Sequence, residues 1–441
     1  MATRSTPPVA QSTPNYTGPF ITVAILFFIF GFITTLNMAL VPHLKRLFDL
    51  PYGWAMLVES AFFLAYFVFA SPTSKLIESI GYKRTMVVSL FIQVVGCLMF
   101  VPAAMYVSFP LFLTAVFVVG AGVTALQTSA NPYVSILGPE SSASVRLTLA
   151  QAFNSVGTTI APLVAGAFIL TDPAKVATKA AIADTVRLPY ILIAAALLAL
   201  GIIVNFLHLP AIATQAFRPA KAGDPILSRS IWAYRHTVLA AVGIFAYVGV
   251  EVGLGSIAVN YFLAQGVNSA KVAAFFTSMG GLGALITGWV GPWTVVKIAA
   301  ILVSLYWFGA LVGRLLGSWI LTKIEAGKLL GIFGFCAAAM IVLSMMTSGQ
   351  VAIYTLVLCG FFNSIMFPNI FALGIKGLGP MTSKGSGLIM TAVVGGAIIP
   401  PALGKLADIV GIQYSFVLPM LCYLFIAYYG VLGSKPKRTI V

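Results

Sequence analysis

The chain has 441 residues, of which 60% are hydrophobic and only 8% charged, with a formal net charge of +15; its mean hydropathy is +1.03. Soluble domains carry about a quarter charged residues, so a composition this apolar excludes water as the main solvent and selects lipid. The positive residues are scattered through short loops without a long basic tract interleaved with aromatics, which excludes a nucleic-acid surface and leaves them to set membrane topology.

Residues 1–19 are rich in Pro, Ser and Thr and carry Arg4 as their sole charge. They lack the charged region and cleavage site of a signal peptide and read as a disordered cytoplasmic tail. Twelve apolar runs follow, each long enough to cross a bilayer of about 30 Å as a helix. The other fold that survives in lipid, a closed barrel, would show short alternating segments instead. The first predicted span, 20–43, holds Asn37 and Met38; the second, 55–78, holds Glu59 near its outer end; the third is 85–106. The fourth, 109–137, carries Gln127 and Asn131 beside Pro132, and the fifth, 145–171, carries Asn154. A sixth span, 188–210, completes an N-terminal half of 20–210, and a basic cytoplasmic linker over 211–236 leads to the next.

The seventh span, 237–264, holds Tyr247, Glu251, Asn260 and Tyr261. Segment 270–293 is apolar but rich in glycine and ends in Gly-Pro-Trp. It is expected to be interfacial or re-entrant on the outer side, because a further span would place Lys435, Lys437 and Arg438 outside. The eighth span, 297–322, carries Tyr306, Trp307 and Arg314; the ninth is 329–347; the tenth, 350–375, holds Asn363 and Asn369. Spans 383–404 and 411–432 complete a C-terminal half of 237–432, before a cytoplasmic tail of 433–441. With both termini inside, the cytoplasmic loops include Lys83, Arg84, Arg146, Arg218, Lys221, Arg229 and Arg235, an excess over the outer loops that fits the positive-inside rule.

The expected fold is therefore an all-α membrane protein of twelve transmembrane helices in two six-helix halves. The halves echo each other: Gly157, Pro162 and Gly166 recur as Gly395, Pro400 and Gly404, each at an offset of 395−157 = 238. A parallel duplication of this kind places a solute site between the halves near the midplane.

The intramembrane polar groups are the candidates for chemistry. Asn37, Gln127, Asn131, Asn154, Asn260, Asn363 and Asn369 lie in apolar spans, where an amide must either tie helices together or line a cavity. Tyr247, Tyr261, Tyr306 and Trp307 are candidate faces for an apolar ring. Amides, hydroxyls and an aromatic face together suit a neutral sugar. Glu59 and Glu251 are acids within the spans, and an acid at that depth must be protonated, paired or hydrated; Arg314 is the natural counterion. Cys97, Cys336, Cys359 and Cys422 lie in apolar runs without CxxC spacing, and His43, His208 and His236 lie near span ends. No metal site, cofactor, nucleophilic triad or GxxxxGK[ST] phosphate loop is indicated, so neither an enzyme nor an ATP-driven pump is expected.

The strings GAGVTALQTSANPYVSILGPESSASVRLTLAQAFNSVGTTIAPLVAG, YVGVEVGLGSIAVNYF, YWFGALVGRLLGS and FFNSIMFPNIFALGIKGLG resemble the fucose, glucose and galactose permease family of major facilitators. The resemblance runs over about 20–430 and is most specific from Ala130 to Gly166. It implies a monomeric carrier in a bacterial inner membrane that takes up a glucose, galactose or fucose type of sugar by alternating access, usually with a proton. It places Gln127 and Asn154 on the family's binding helices and favours Tyr261 and Trp307 among the aromatics. Two positions depart from it. The family has Asn-Asp where this chain reads Asn37-Met38, and Glu where it has Gln127, so the carboxylates expected to couple the proton are replaced. Two readings stay open: coupling has moved to Glu251, assisted by Glu59, or the chain equilibrates its solute without a proton.

Overall fold

The computed structural model describes residues 16–50, 54, 57–168, 178–207, 209, 230–266, 278, 280–281 and 295–436. The described residues form helices joined by short turns, as lipid demands of backbone groups that water cannot satisfy. In chain order the helices are α1 (Thr17–Leu47), α2 (Leu57–Met105), α3 (Phe109–Ile136), α4 (Ala143–Phe168), the short α5 (Lys179–Asp184) and α6 (Arg187–Phe206). They continue with α7 (Arg235–Ala264), α8 (Val295–Ile320), α9 (Ala326–Met346), α10 (Gln350–Asn363), α11 (Met366–Gly374), α12 (Thr382–Thr391), α13 (Gly395–Val410) and α14 (Val417–Tyr428). A π turn over Tyr429–Gly433 prolongs α14. Ten stretches among the described residues are long and apolar enough to cross a membrane. Nearly all of segment 270–293, most of the linker 211–236 and His208 lie outside the described residues.

The second and third spans are two helices that meet without a loop at a bend on Gly81, with φ 82° and ψ 168°, and α2 names them together. Only glycine adopts that conformation freely, so the bend is a property of this residue. The tenth span is interrupted between Asn363 and Met366, and the eleventh between Thr391 and Gly395.

Proline explains the first of these interruptions. Pro368 has no N–H to give to the carbonyl four residues back, which is that of Ser364. Arg314 Nε donates to this oxygen instead, at 3.2 Å. The same logic acts in α3, where Pro132 frees the carbonyl of Thr128 and Ser386 Oγ donates to it at 2.7 Å. Elsewhere in α3 the hydroxyls turn inward on their own helix: Thr124 bonds to Gly120 O and Thr128 to Thr124 O, both at 2.7 Å. Such back-bonding removes a polar group from an apolar surrounding without a partner helix.

Helices α1 to α6 pack mainly on one another, and so do α7 to α14. Close approach is built at equivalent places. A Cβ on Gly157 of α4 would stand 2.2 Å from Phe28 O of α1, and one on Gly395 of α13 would stand 2.1 Å from Phe245 O of α7. Only a residue without a side chain permits backbones this near.

The bonds that cross between the two groups gather toward the end of the bundle carrying loops 137–142 and 375–381. There Ser383 Oγ donates to Glu78 Oε1 at 3.0 Å and Gly377 N to Glu140 Oε1 at 3.1 Å. Deeper in, Asn131 Nδ2 reaches Met390 Sδ at 3.7 Å.

Candidate functional site

The first group of helices gathers neutral polar groups. Gln127 on α3 is buried, and its Nε2 donates to Tyr66 Oη on α2 at 2.6 Å. Asn37 on α1 accepts from Tyr190 Oη on α6 at 3.1 Å, while its Nδ2 is buried without a protein partner. Asn37 and Glu59 line one small pocket together with Thr34, Met38, Val58, Phe62 and Phe63. Asn154 on α4 is buried and donates to Phe27 O on α1 at 3.3 Å. Gly31 allows this, because a Cβ there would meet Asn154 Nδ2 at 2.2 Å.

The second group gathers charge. Glu251 on α7 accepts from Tyr247 Oη, one helical turn earlier, at 2.6 Å. Its Oε1 faces Arg314 Nη2 on α8 at 3.9 Å, with the two side chains 17% and 8% exposed. Arg314 is thus the counterion that the sequence suggested for a buried acid. About two turns before Arg314 on the same helix, Tyr306 and Trp307 stand edge to face with centroids 5.4 Å apart. Asn363 Nδ2 donates to Tyr306 Oη, and its Oδ1 is buried without a protein partner.

The remaining candidates take other places. Tyr261 is wholly buried, its hydroxyl 2.9 Å from Ser344 O and 2.6 Å from Ser344 Oγ, and its ring lies 4.7 Å from that of Phe416. It ties α7 to α9 and to the turn that precedes α14, and it does not join the Glu251 cluster. Asn260 is exposed. Asn131 sits at the crossing of α3 and α12 and leaves its Oδ1 unpaired. Asn369 is fully buried, and its Nδ2 returns to its own helix at Ile365 O, 2.8 Å away.

Sequence reasoning passed over Tyr66, Tyr190, Gln151 and Ser155. A usable signal existed for the tyrosines, since a phenol in an apolar span needs a partner for its hydroxyl when buried. Gln151 and Ser155 gave none, because their part depends on which helix α4 faces.

Chemically, the first group offers buried amide and hydroxyl donors and acceptors, and the second a carboxylate with its guanidinium. An amide atom left unpaired in a buried place costs about 1–3 kcal/mol, which a polyhydroxylated ligand recovers by hydrogen bonding. Among the described residues no three His, Cys, Asp or Glu side chains gather as a metal site would require.

The pattern of the Major Facilitator Superfamily matches residues 23–401. The chain is 44% identical over 428 residues to a glucose/galactose transporter of Brucella abortus, covering 96% of each. It is 30% identical over 444 residues to the L-fucose-proton symporter of Escherichia coli, covering 97% of this chain and 95% of that one. Its fold matches the crystal structure of the major facilitator FucP in the outward conformation with a TM-score of 0.79 at 30% identity, covering 94% of this chain and 98% of the other.

Proposed function

The chain belongs to the Major Facilitator Superfamily, and on that premise we propose that it is a secondary transporter moving a neutral monosaccharide of the glucose, galactose or fucose type by alternating access, with proton symport. The observation that carries the substrate class is the near-full-length similarity to a glucose/galactose transporter. The buried amides of Asn37, Gln127, Asn154 and Asn363, two of them with an unpaired atom, supply the hydrogen-bonding groups such a solute requires. Trp307 supplies the apolar face.

Twelve spans fit this reading. The ten stretches count Leu57–Met105 once and leave out the 26-residue α4. Leu57–Met105 is two helices on either side of the non-helical Gly81, each of about 24 residues and rising about 36 Å, enough for each to cross a bilayer core of about 30 Å. Ten plus one for the second crossing and one for α4 makes twelve. An even number puts both termini on one side, and the loop positives make that side the cytoplasm. A C-terminal reporter active only outside the cytoplasm would overturn the orientation. With this orientation, the joined end at loops 137–142 and 375–381 is cytoplasmic.

The coupling acid is Glu251, with Glu59 beside Asn37 and Met38 as an accessory. Met38 cannot titrate and Gln127 has no proton to lose in the physiological range, whereas Glu251 has both an anion's counterion and a phenol donor within reach. The test is hexose uptake into proteoliposomes under an imposed proton gradient. Accumulation above the external concentration that Glu251→Gln abolishes, with counterflow persisting, supports symport. Wild-type uptake that only equilibrates and ignores the gradient leaves a facilitator.

A further inference from the structure

Arg314 divides its donors between the two groups of helices. On its own side Nε is held by Ser364 O, the carbonyl that Pro368 leaves free. Across the division Nη1 donates to Gln151 O at 3.3 Å and to Ser155 Oγ, both on α4. Only Nη2 faces an anion, and at 3.9 Å its approach to Glu251 Oε1 is longer than a hydrogen bond of about 2.7–3.2 Å. The guanidinium therefore has one fixed bond, two bonds to the opposite group, and a carboxylate on its own side that it has not yet closed upon.

Parting of α4 from α8, which opening of this end requires, removes both partners of Nη1. Arg314 is 7% exposed in the joined state, so its Nη1 depends on these two acceptors there, and once they part the charged donor needs another acceptor. Glu251 is the replacement within reach.

We propose that Arg314 is an exchangeable interlock: bound to Ser155 and Gln151 it holds α4 against α8, and by closing onto Glu251 it releases them. It is a positioning residue, and it grips the helical turn that presents Asn154. The proposal rests on the alternating-access reading above but on neither the identity of the sugar nor that of the coupling ion.

The two ends of the exchange act in opposite directions. Ser155→Ala weakens the grip across the division and favours the parted state. Glu251→Gln removes the anion that receives the guanidinium and favours the joined state. A role limited to holding the fold together would move both variants the same way.

The experiment places spin labels at Ser141 and Lys376, both exposed in the loops at the joined end, in the full-length protein with its four native cysteines replaced and reconstituted in nanodiscs. Pulsed electron resonance reads the distance distribution. The expected result is at least a twofold gain of the long-distance population in Ser155→Ala, a comparable loss in Glu251→Gln, and return to wild type in Ser155→Thr. Should Ser155→Ala fail to assemble, Arg314→Lys, which keeps the charge but loses the fork, must raise the long-distance population. Shifts in one direction for both variants, or no shift in any, overturn the interlock. Hexose counterflow in the same preparations separates the two readings: opposite shifts without counterflow retain the interlock and remove the sugar, and counterflow without opposite shifts does the reverse.

Discussion

Helices α1 to α6 and helices α7 to α14 share a scaffold and differ in chemistry. Gly157 and Gly395 each bring two backbones together at the same step of the pattern, against Phe28 and Phe245. Pro132 and Pro368 each free a carbonyl that a side chain from another helix then takes. Yet the first group collects uncharged amides around Tyr66 and Tyr190, while the second collects Glu251, Tyr247 and Arg314. Backbone approach and proline-freed carbonyls are demands of the helical architecture and persist in both copies. Side chains facing the centre carry no such demand, so one copy is free to recognise and the other to respond to charge.

This division can be broken most sharply at Glu251. Glu251→Gln is expected to reduce gradient-driven accumulation to simple equilibration, measured as the ratio of internal to external hexose, while Gln127→Glu leaves the ratio above one. If accumulation survives in Glu251→Gln, charge does not belong to the second group alone. At the next scale, Gln127→Ala and Asn154→Ala are each expected to raise the half-saturation concentration for counterflow tenfold or more, since a buried hydrogen bond lost leaves its partner uncompensated by about 1–3 kcal/mol. Unchanged values in both variants at equal expression would remove recognition from the first group.

The shared scaffold makes a symmetric prediction. Gly157→Ala and Gly395→Ala both force a backbone apart, and overpacking of this kind costs about 1–3 kcal/mol. Thermal denaturation in detergent is expected to show losses of similar size for the two; a loss confined to one glycine would mean that the halves are not built alike. The smallest effect is expected for Ser386→Ala, which leaves Thr128 O without its donor. Hydrogen bonds between membrane helices average about 0.6 kcal/mol, so the same assay should register a loss near that figure.

Much of the architecture was legible from hydropathy alone, because lipid leaves the backbone almost no alternative to long helices. Even the break at Gly81 has a visible cause in the glycine of GYKR. The interruption at Ser364 was not legible from Pro368 four residues away, because a proline alone does not decide it: Pro132 likewise frees a carbonyl and leaves α3 continuous. Tyr261 shows the limit for site residues: its setting in the sequence is like that of a cavity aromatic, and the fold turns it toward Ser344 and Phe416.

By itself the sequence determined that the chain lives in lipid, that it crosses repeatedly as helices, that glycines and a proline recur at a fixed offset along it, and that Glu251 at depth must be protonated, paired or hydrated. These follow from composition, period and the energetic cost of polar groups in an apolar solvent, none of which depends on which helix neighbours which. Tertiary structure alone decided that Asn37 pairs with Tyr190, that Gln127 pairs with Tyr66, and that Arg314 on α8 reaches both Glu251 on α7 and Ser155 on α4. The residues of each such set lie far apart along the chain, and their meeting is fixed by the rotation and crossing of whole helices, a quantity no local pattern of residues encodes.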